Sequence, residues 1–213
     1  MTEAAIAVCT WGGSADGVPA EAAELLTLGR RAAAAFDAKL HWLVLGATPP
    51  ETPELAARYG VTAVDRIDDA KLAGFRPDPS VEALAQYCAQ RAPKLLLVAQ
   101  SFDARLVAPR LAGRLAWAVV MNGVDVANAG DGRVEVTASA YGGDTRVVYR
   151  VGGSPCIVGV LANAVVAEPL ADAAPTPALQ DVSVDLDGVE ERIRIAQSAR
   201  TEGPRLEDAE VIV

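Results

Sequence analysis

Apolar residues fall along this chain in two rhythms. In the first half, short apolar runs alternate with longer stretches where apolar positions recur every three or four residues. The runs at 4–9 (Ala-Ala-Ile-Ala-Val-Cys) and 94–99 lack polar alternation, as parallel strands buried on both faces do. Two further strands are read at 41–45, ended by Gly46, and at 61–67. Between them, the stretch 19–36 gathers Ala22, Leu25, Leu26, Gly29, Ala33 and Phe36 on one helical face, with Pro19 in its first turn. A second helix at 52–59 ends at Gly60, a left-handed cap. After the Pro77/Pro79 break, Ser80 reads as the N-cap of a third helix at 81–90. The stretch 101–117 holds a fourth, with Pro109 near its true start or kinking it. Four strand–helix units with short connections predict an α/β fold with a doubly wound parallel sheet and right-handed crossovers.

In the second half the rhythm changes. Runs at 119–126, 133–141, 145–151 and 156–160 are short and β-rich, and Asp131-Gly132, Gly142-Gly143 and Gly152-Gly153 separate them. Such dipeptides between such runs signal hairpins, so antiparallel strands are expected to extend or flank the parallel sheet. The Ala- and Pro-rich stretch 163–180 reads as a connecting arm. Val182-x-Val184-x-Leu186 and Ile193-x-Ile195 alternate like a return strand. After Thr201-Glu202-Gly203-Pro204-Arg205 the chain runs into Val211-Ile212-Val213, an apolar strand. A buried strand needs its ladder and its following turn. The expectation is therefore one domain at 1–202, with 203–213 as the first strand of another in a larger polypeptide.

Composition narrows the function classes. Of 213 residues 51% are hydrophobic, enough for a sizeable core and too many for a disordered chain. No apolar run reaches membrane-spanning length, and the N-terminus lacks the basic stretch of a secretory signal, so a cytoplasmic protein is expected. With 19 basic against 28 acidic side chains the net charge is −9, and no Lys/Arg stripe gathers to neutralise phosphates, which argues against a nucleic-acid partner. Cys9, Cys88 and Cys156 are odd in number and far apart, as buried thiols in a reducing compartment are. His41 is the single histidine, at a strand edge, and a zinc site or a Ser-His-Asp triad would both need it. No acidic pair stands out either. No catalytic residue and no metal ligand is assigned.

Ligands of such sheets sit at the carboxyl ends of the strands, near the switch in strand order. Two segments meet that description: the loop 10–17 with Thr10, Gly12 and Gly13, and Gln100-Ser101 after the fourth strand. Neither G-x-G-x-x-G nor a P-loop is present, so the glycines serve either backbone sterics alone or close approach to a ligand. Ser101 or Asp103 is placed to cap the following helix. Arg105 and Arg110 read as solvated helix charges or as interface anchors. Trp11, Trp42 and Trp117 read as core or interface residues, and Tyr141 and Tyr149 as cross-strand hairpin residues.

Two segments carry a family resemblance. Ala108-Pro109-Arg110-Leu111-Ala112, preceded by Arg105 and following an apolar strand, is similar to the R-x-L-A-P-R-L-A element of electron transfer flavoprotein alpha subunits. The tail from Gly203 to Val213 resembles the strand that leads into the FAD-binding domain of that family, and Tyr141-Gly142-Gly143 and the order of strands also fit. The resemblance spans essentially the whole chain. It implies a Rossmann-like, adenine-nucleotide-hydrolase-like domain that pairs with a beta subunit as a rigid base and carries electrons rather than catalysing a reaction. A flavin dehydrogenase would be the donor and a quinone oxidoreductase the acceptor. FAD would sit in a C-terminal domain beyond Val213, and AMP or a second FAD in the beta subunit. Arg105, Pro109, Arg110 and Tyr141 become the interface candidates. No residue here matches a flavin-binding motif. Leu106 replaces an acidic residue of the family, and Ala138-Ser139 and the stretch from Leu161 to Val165 lack its arginines, which points to a divergent branch with its own dehydrogenase partner. The alternative is a stand-alone adenine-nucleotide module of universal-stress type, built on Thr10, Gly12, Gly13, Gln100 and Ser101. An enzyme of unknown type is the third reading.

Overall fold

The computed structural model describes residues 4–12, 17–130, 132–152 and 155–193. Four parallel strands form the centre of the sheet: β1 (Ala5–Trp11), β2 (Lys39–Leu45), β3 (Ala63–Ile67) and β4 (Leu95–Ala99), in the spatial order β4-β1-β2-β3. Residues of α1 (Ala22–Ala35) and α2 (Thr52–Arg58) share one core layer with Val8, Trp42 and Leu97, and those of α3 (Pro77–Arg91) and α4 (Phe102–Leu115) share the other with Cys9, Leu43 and Leu96. The doubly wound α/β expectation is met. Gly29 sets the distance of α1 from the sheet. A Cβ there would lie 2.7 Å from Val8 and 2.8 Å from Leu40, so the helix rides almost against the strands.

The second half departs from its reading in one respect. β5 (Ala118–Asn128), β6 (Val134–Ala140) and β7 (Thr145–Val151) form the expected antiparallel extension. β8 (Cys156–Val160) does not follow as another hairpin strand. The chain passes back across β6 and β5, and β8 inserts between β4 and β5, parallel to both. Its sequence, Cys-Ile-Val-Gly-Val, has no polar alternation and all five residues are buried, which only a central strand provides. Tyr141 is not cross-strand. It sits in a tight turn, Tyr141–Gly143, where Gly142 and Gly143 take φ +70° and +108°.

Two helix readings also shift. α3 begins at Pro77 rather than after Ser80, because the first turn leaves N–H groups unbonded and accepts Pro77 and Pro79 there. Ser80 is buried within it. Pro109 lies inside α4, well past its start.

The arm runs over α1 and α2, where Glu168 accepts from Arg30 and donates to Thr27, and Leu170 and Ala174 donate to the carbonyls of Arg58 and Ala57. It joins the sheet as β9 (Leu179–Asp181), parallel to β3. It then turns onto the opposite face. Val182-x-Val184-x-Leu186 is not a strand; Val182 and Leu186 bury against the α3 layer. Gln86 bonds both main-chain groups of Asp185 (2.7 and 2.8 Å), Gln90 donates to Ser183, and Lys71 donates to Leu186. Ile195 and the stretch 203–213, with the domain division read there, lie outside the described residues.

Candidate functional site

Strand order reverses between β1 and β4, so the carboxyl ends of these two strands frame the crevice where a ligand would sit. The candidate residues described there, Thr10, Gly12, Gln100 and Ser101, are already bonded within the chain. Thr10 is buried and its Oγ1 accepts from Trp42 Nε1 at 2.9 Å. The amide of Gly12 donates to Leu45 at 2.7 Å. A Cβ on Gly12 would collide with the Ala47 carbonyl and lie 2.9 Å from Val44, so loop packing alone demands this glycine. Gly13 lies outside the described residues.

Gln100 leaves β4 with its amide bonded to Val160 at 2.8 Å. Its side chain grips Asn122 twice, donating to the Asn122 Oδ1 and accepting from the Asn122 amide. Asn122 stands at an irregularity in β5 with φ +59°, a conformation its short polar side chain tolerates. Ser101 caps α4 by accepting from the Ala104 amide at 3.1 Å. Asp103 is not the cap, and burial pushes its carboxyl up.

Beside these groups opens a cavity of about 520 Å³ lined by Glu21, Glu24, Leu25, Gln100, Ser101 and Asn163, among others. Glu24 accepts from the Asn163 amide at 3.0 Å. Acidic side chains thus occupy the start of α1, where the helix dipole would favour a phosphate, and no Lys or Arg lines the space among the described residues. The phosphates of an adenylate or a flavin dinucleotide do not fit such a lining.

The interface candidates separate into three places. Arg105 and Pro109 share one face of α4 and line a shallow cavity of about 270 Å³ with Gln100, Met121 and Asn122. Arg110 turns the other way and pairs with the buried Asp78 of α3. Tyr141 stands 83% exposed at the β6–β7 turn.

Two carboxylates were not singled out by sequence reading. Asp65, fully buried on β3, accepts from the Tyr87 hydroxyl (2.9 Å), Arg91 Nη2 (2.9 Å) and His41 Nδ1 (3.2 Å). Burial pushes this carboxyl up, but the hydrogen bonds from His41 and Tyr87 and the Arg91 charge outweigh it and hold it below the usual carboxylate range. The available signal was an Asp inside an otherwise apolar strand. Asp78 is set the same way, with the Arg110 guanidinium and the amides of Ile193 and Arg192 overriding its burial. The three cysteines are free and buried, and burial pushes the thiols of Cys88 and Cys156 up to about 12. Trp42 is core, and Trp11 meets Phe75 edge-on at 6.4 Å.

No helix among the described residues is long and apolar enough to cross a membrane. A family model for the electron transfer flavoprotein domain matches residues 15–187. Two curated proteins, both called electron transfer flavoprotein subunit alpha and from Mycobacterium tuberculosis strains CDC 1551/Oshkosh and ATCC 25618/H37Rv, are each 31% identical over 136 residues. That alignment covers 64% of this chain and 38% of either relative. The chain therefore belongs to the electron transfer flavoprotein domain family.

Proposed function

We propose that this chain is the base domain of an electron transfer flavoprotein alpha-like subunit. It pairs with a beta subunit and holds the assembly in shape while electrons pass from a flavin dehydrogenase to a quinone-linked oxidoreductase. The electrons travel on FAD held outside the described residues, and AMP or a second FAD belongs to the beta subunit. The protein works in the cytoplasm. No bond is made or broken in this domain.

The crevice supports a scaffold over a ligand carrier. Thr10, Gln100 and Ser101 have their polar groups bonded within the chain, and Glu21 and Glu24 oppose an incoming phosphate. Co-expression of the gene product with the beta subunit of the same genome tests the reading. A co-purifying pair with the visible absorbance of flavin, bleached by a donor dehydrogenase, is the expected result. A colourless product that retains no beta subunit sinks it. Tight equilibrium binding of AMP or ATP by the chain alone would instead favour the stand-alone nucleotide module.

A further inference from the structure

We propose that the cavity at the amino ends of β1, β2 and β3 binds a small phosphate-bearing anion, held by Lys39, His41 and Arg91. The site lies at the opposite end of the sheet from the crevice described above, and it stands whether or not the chain pairs with a beta subunit.

Strand register brings these residues together. Lys39 opens β2 and pairs with Ala5, the first residue of β1, while His41 pairs with Ala63, the first residue of β3. Lys39 and His41 are two apart on one strand, so their side chains leave the same face of the sheet. Arg91, the last residue of α3, reaches that face as well, where the Asp65 carboxylate accepts from both Arg91 and His41. Between them opens a cavity of about 320 Å³, whose lining also includes Thr62, Gln90 and Gln180. That volume suits a small ion or a short ester better than a dinucleotide.

The ionisable groups of this lining are all basic. Lys39, His41 and Arg91 belong to it and no Asp or Glu does among the described residues, although acids outnumber bases 28 to 19 along the chain. Asp65 is not part of the lining; it is fully buried and already accepts from His41, Tyr87 and Arg91. Arg91 Nη2 donates to Asp65 and to Gln180, while its Nε is buried with no hydrogen-bond partner, so the guanidinium keeps a donor that the described residues do not use. The carboxyl end of α3 would oppose an anion, and Arg91 in its last turn offsets that. A lysine supplies a mobile point charge and a guanidinium supplies fixed planar donors, two ways of holding phosphate oxygens. The crevice at the other end of the sheet has the reverse lining, with Glu21 and Glu24 and no Lys or Arg. The two ends of one sheet thus sort ligands by charge, and an anion is accepted at the end opposite to the usual ligand crevice of the fold class.

The test titrates inorganic phosphate into the full gene product in phosphate-free buffer at constant ionic strength, read by calorimetry. Saturable binding with a dissociation constant of about 1 mM is expected. Lys39→Gln should weaken it by about tenfold. Gln180→Glu keeps the side-chain oxygen that accepts from Arg91 but adds a negative charge to the lining, so it should abolish binding with the melting temperature held. Arg105→Gln, on α4 outside this cavity, should leave the affinity unchanged. Glycerol phosphate separates two sources of the same chemistry. An affinity about tenfold above that of inorganic phosphate marks a small phosphate ester as the ligand, and an equal or lower affinity marks the free ion. Phosphate binding that survives both Lys39→Gln and Gln180→Glu, or that falls with Arg105→Gln, places the anion elsewhere and overturns the proposal. Absence of saturable binding up to about 20 mM phosphate overturns it as well.

Discussion

The two rims of the sheet are finished in opposite ways. At one end the arm crosses the rim itself: β9 is three residues long, Asp181 pairs with Arg66 at 2.6 Å, and the chain continues directly into the strap over α3. Just inside that rim, Asp65 ties β2, β3 and α3 together, and Arg91 extends the tie to Gln180 of β9 at 3.1 Å. At the other end β7 is more than twice as long and, among the described strands, pairs with β6 alone. One rim is closed by the chain that forms it. The other is built to full length, with apolar side chains among its residues, and no described strand covers it.

This contrast can be broken at three strengths. The largest effect is expected at the closed rim. Asp65→Asn leaves Arg91, His41 and the Tyr87 hydroxyl around an uncharged amide, and should cost about 3 kcal/mol at neutral pH, measured by urea denaturation. A carboxylate held below its ordinary range contributes stability that is present above its unfolded value, about 4, and is lost as pH falls through its folded value. The gap between the wild type and Asp65→Asn should therefore narrow below about pH 4, and equal stabilities at pH 7 would show that the network ties nothing. A smaller effect is expected at Asp78, which pins the end of the strap through the amides of Arg192 and Ile193. Asp78→Asn should cost about 1–2 kcal/mol and speed amide exchange through 182–193, with little change elsewhere. The smallest belongs to the open rim. Val148→Ala should change the stability of the isolated chain by less than about 0.5 kcal/mol. A loss as large as that of Asp78→Asn would mean that β7 is covered within the monomer, and the contrast between the rims would disappear.

The parallel half was legible because its signals are local. Apolar runs, helical spacing and Gly60 each act within a few residues, and the structure follows them to within a few positions. The antiparallel strands were legible for the same reason. The place of β8 was not, because Gly152-Gly153 looks like any hairpin dipeptide and nothing nearby records that the next strand crosses two others. The apolar alternation at Val182, Val184 and Leu186 is real, but its partner is a helix face, which buries alternate residues as well as a sheet does. At the site, the sequence brought Thr10, Gly12, Gln100 and Ser101 to one end of the sheet correctly. What their polar groups bond to depends on Trp42, Asn122 and Ala104, of which only Ala104 is close in sequence. Asp65 and Asp78 went unremarked because a buried acid is recognised by partners drawn from other elements.

The position of β8 has a consequence for the order of assembly. Cys156–Val160 fills the gap between β4 and β5, yet it is synthesised after both and after the whole β6–β7 hairpin. Until those five residues emerge from the ribosome, the chain holds two separate half-sheets, each ending in raw main chain meant for burial. Joining them means closing long loops, a step that is slow for topological reasons. β8 is thus the keystone of the domain, and a nascent chain stalled short of residue 156 would leave the facing margins of β4 and β5 bare at once.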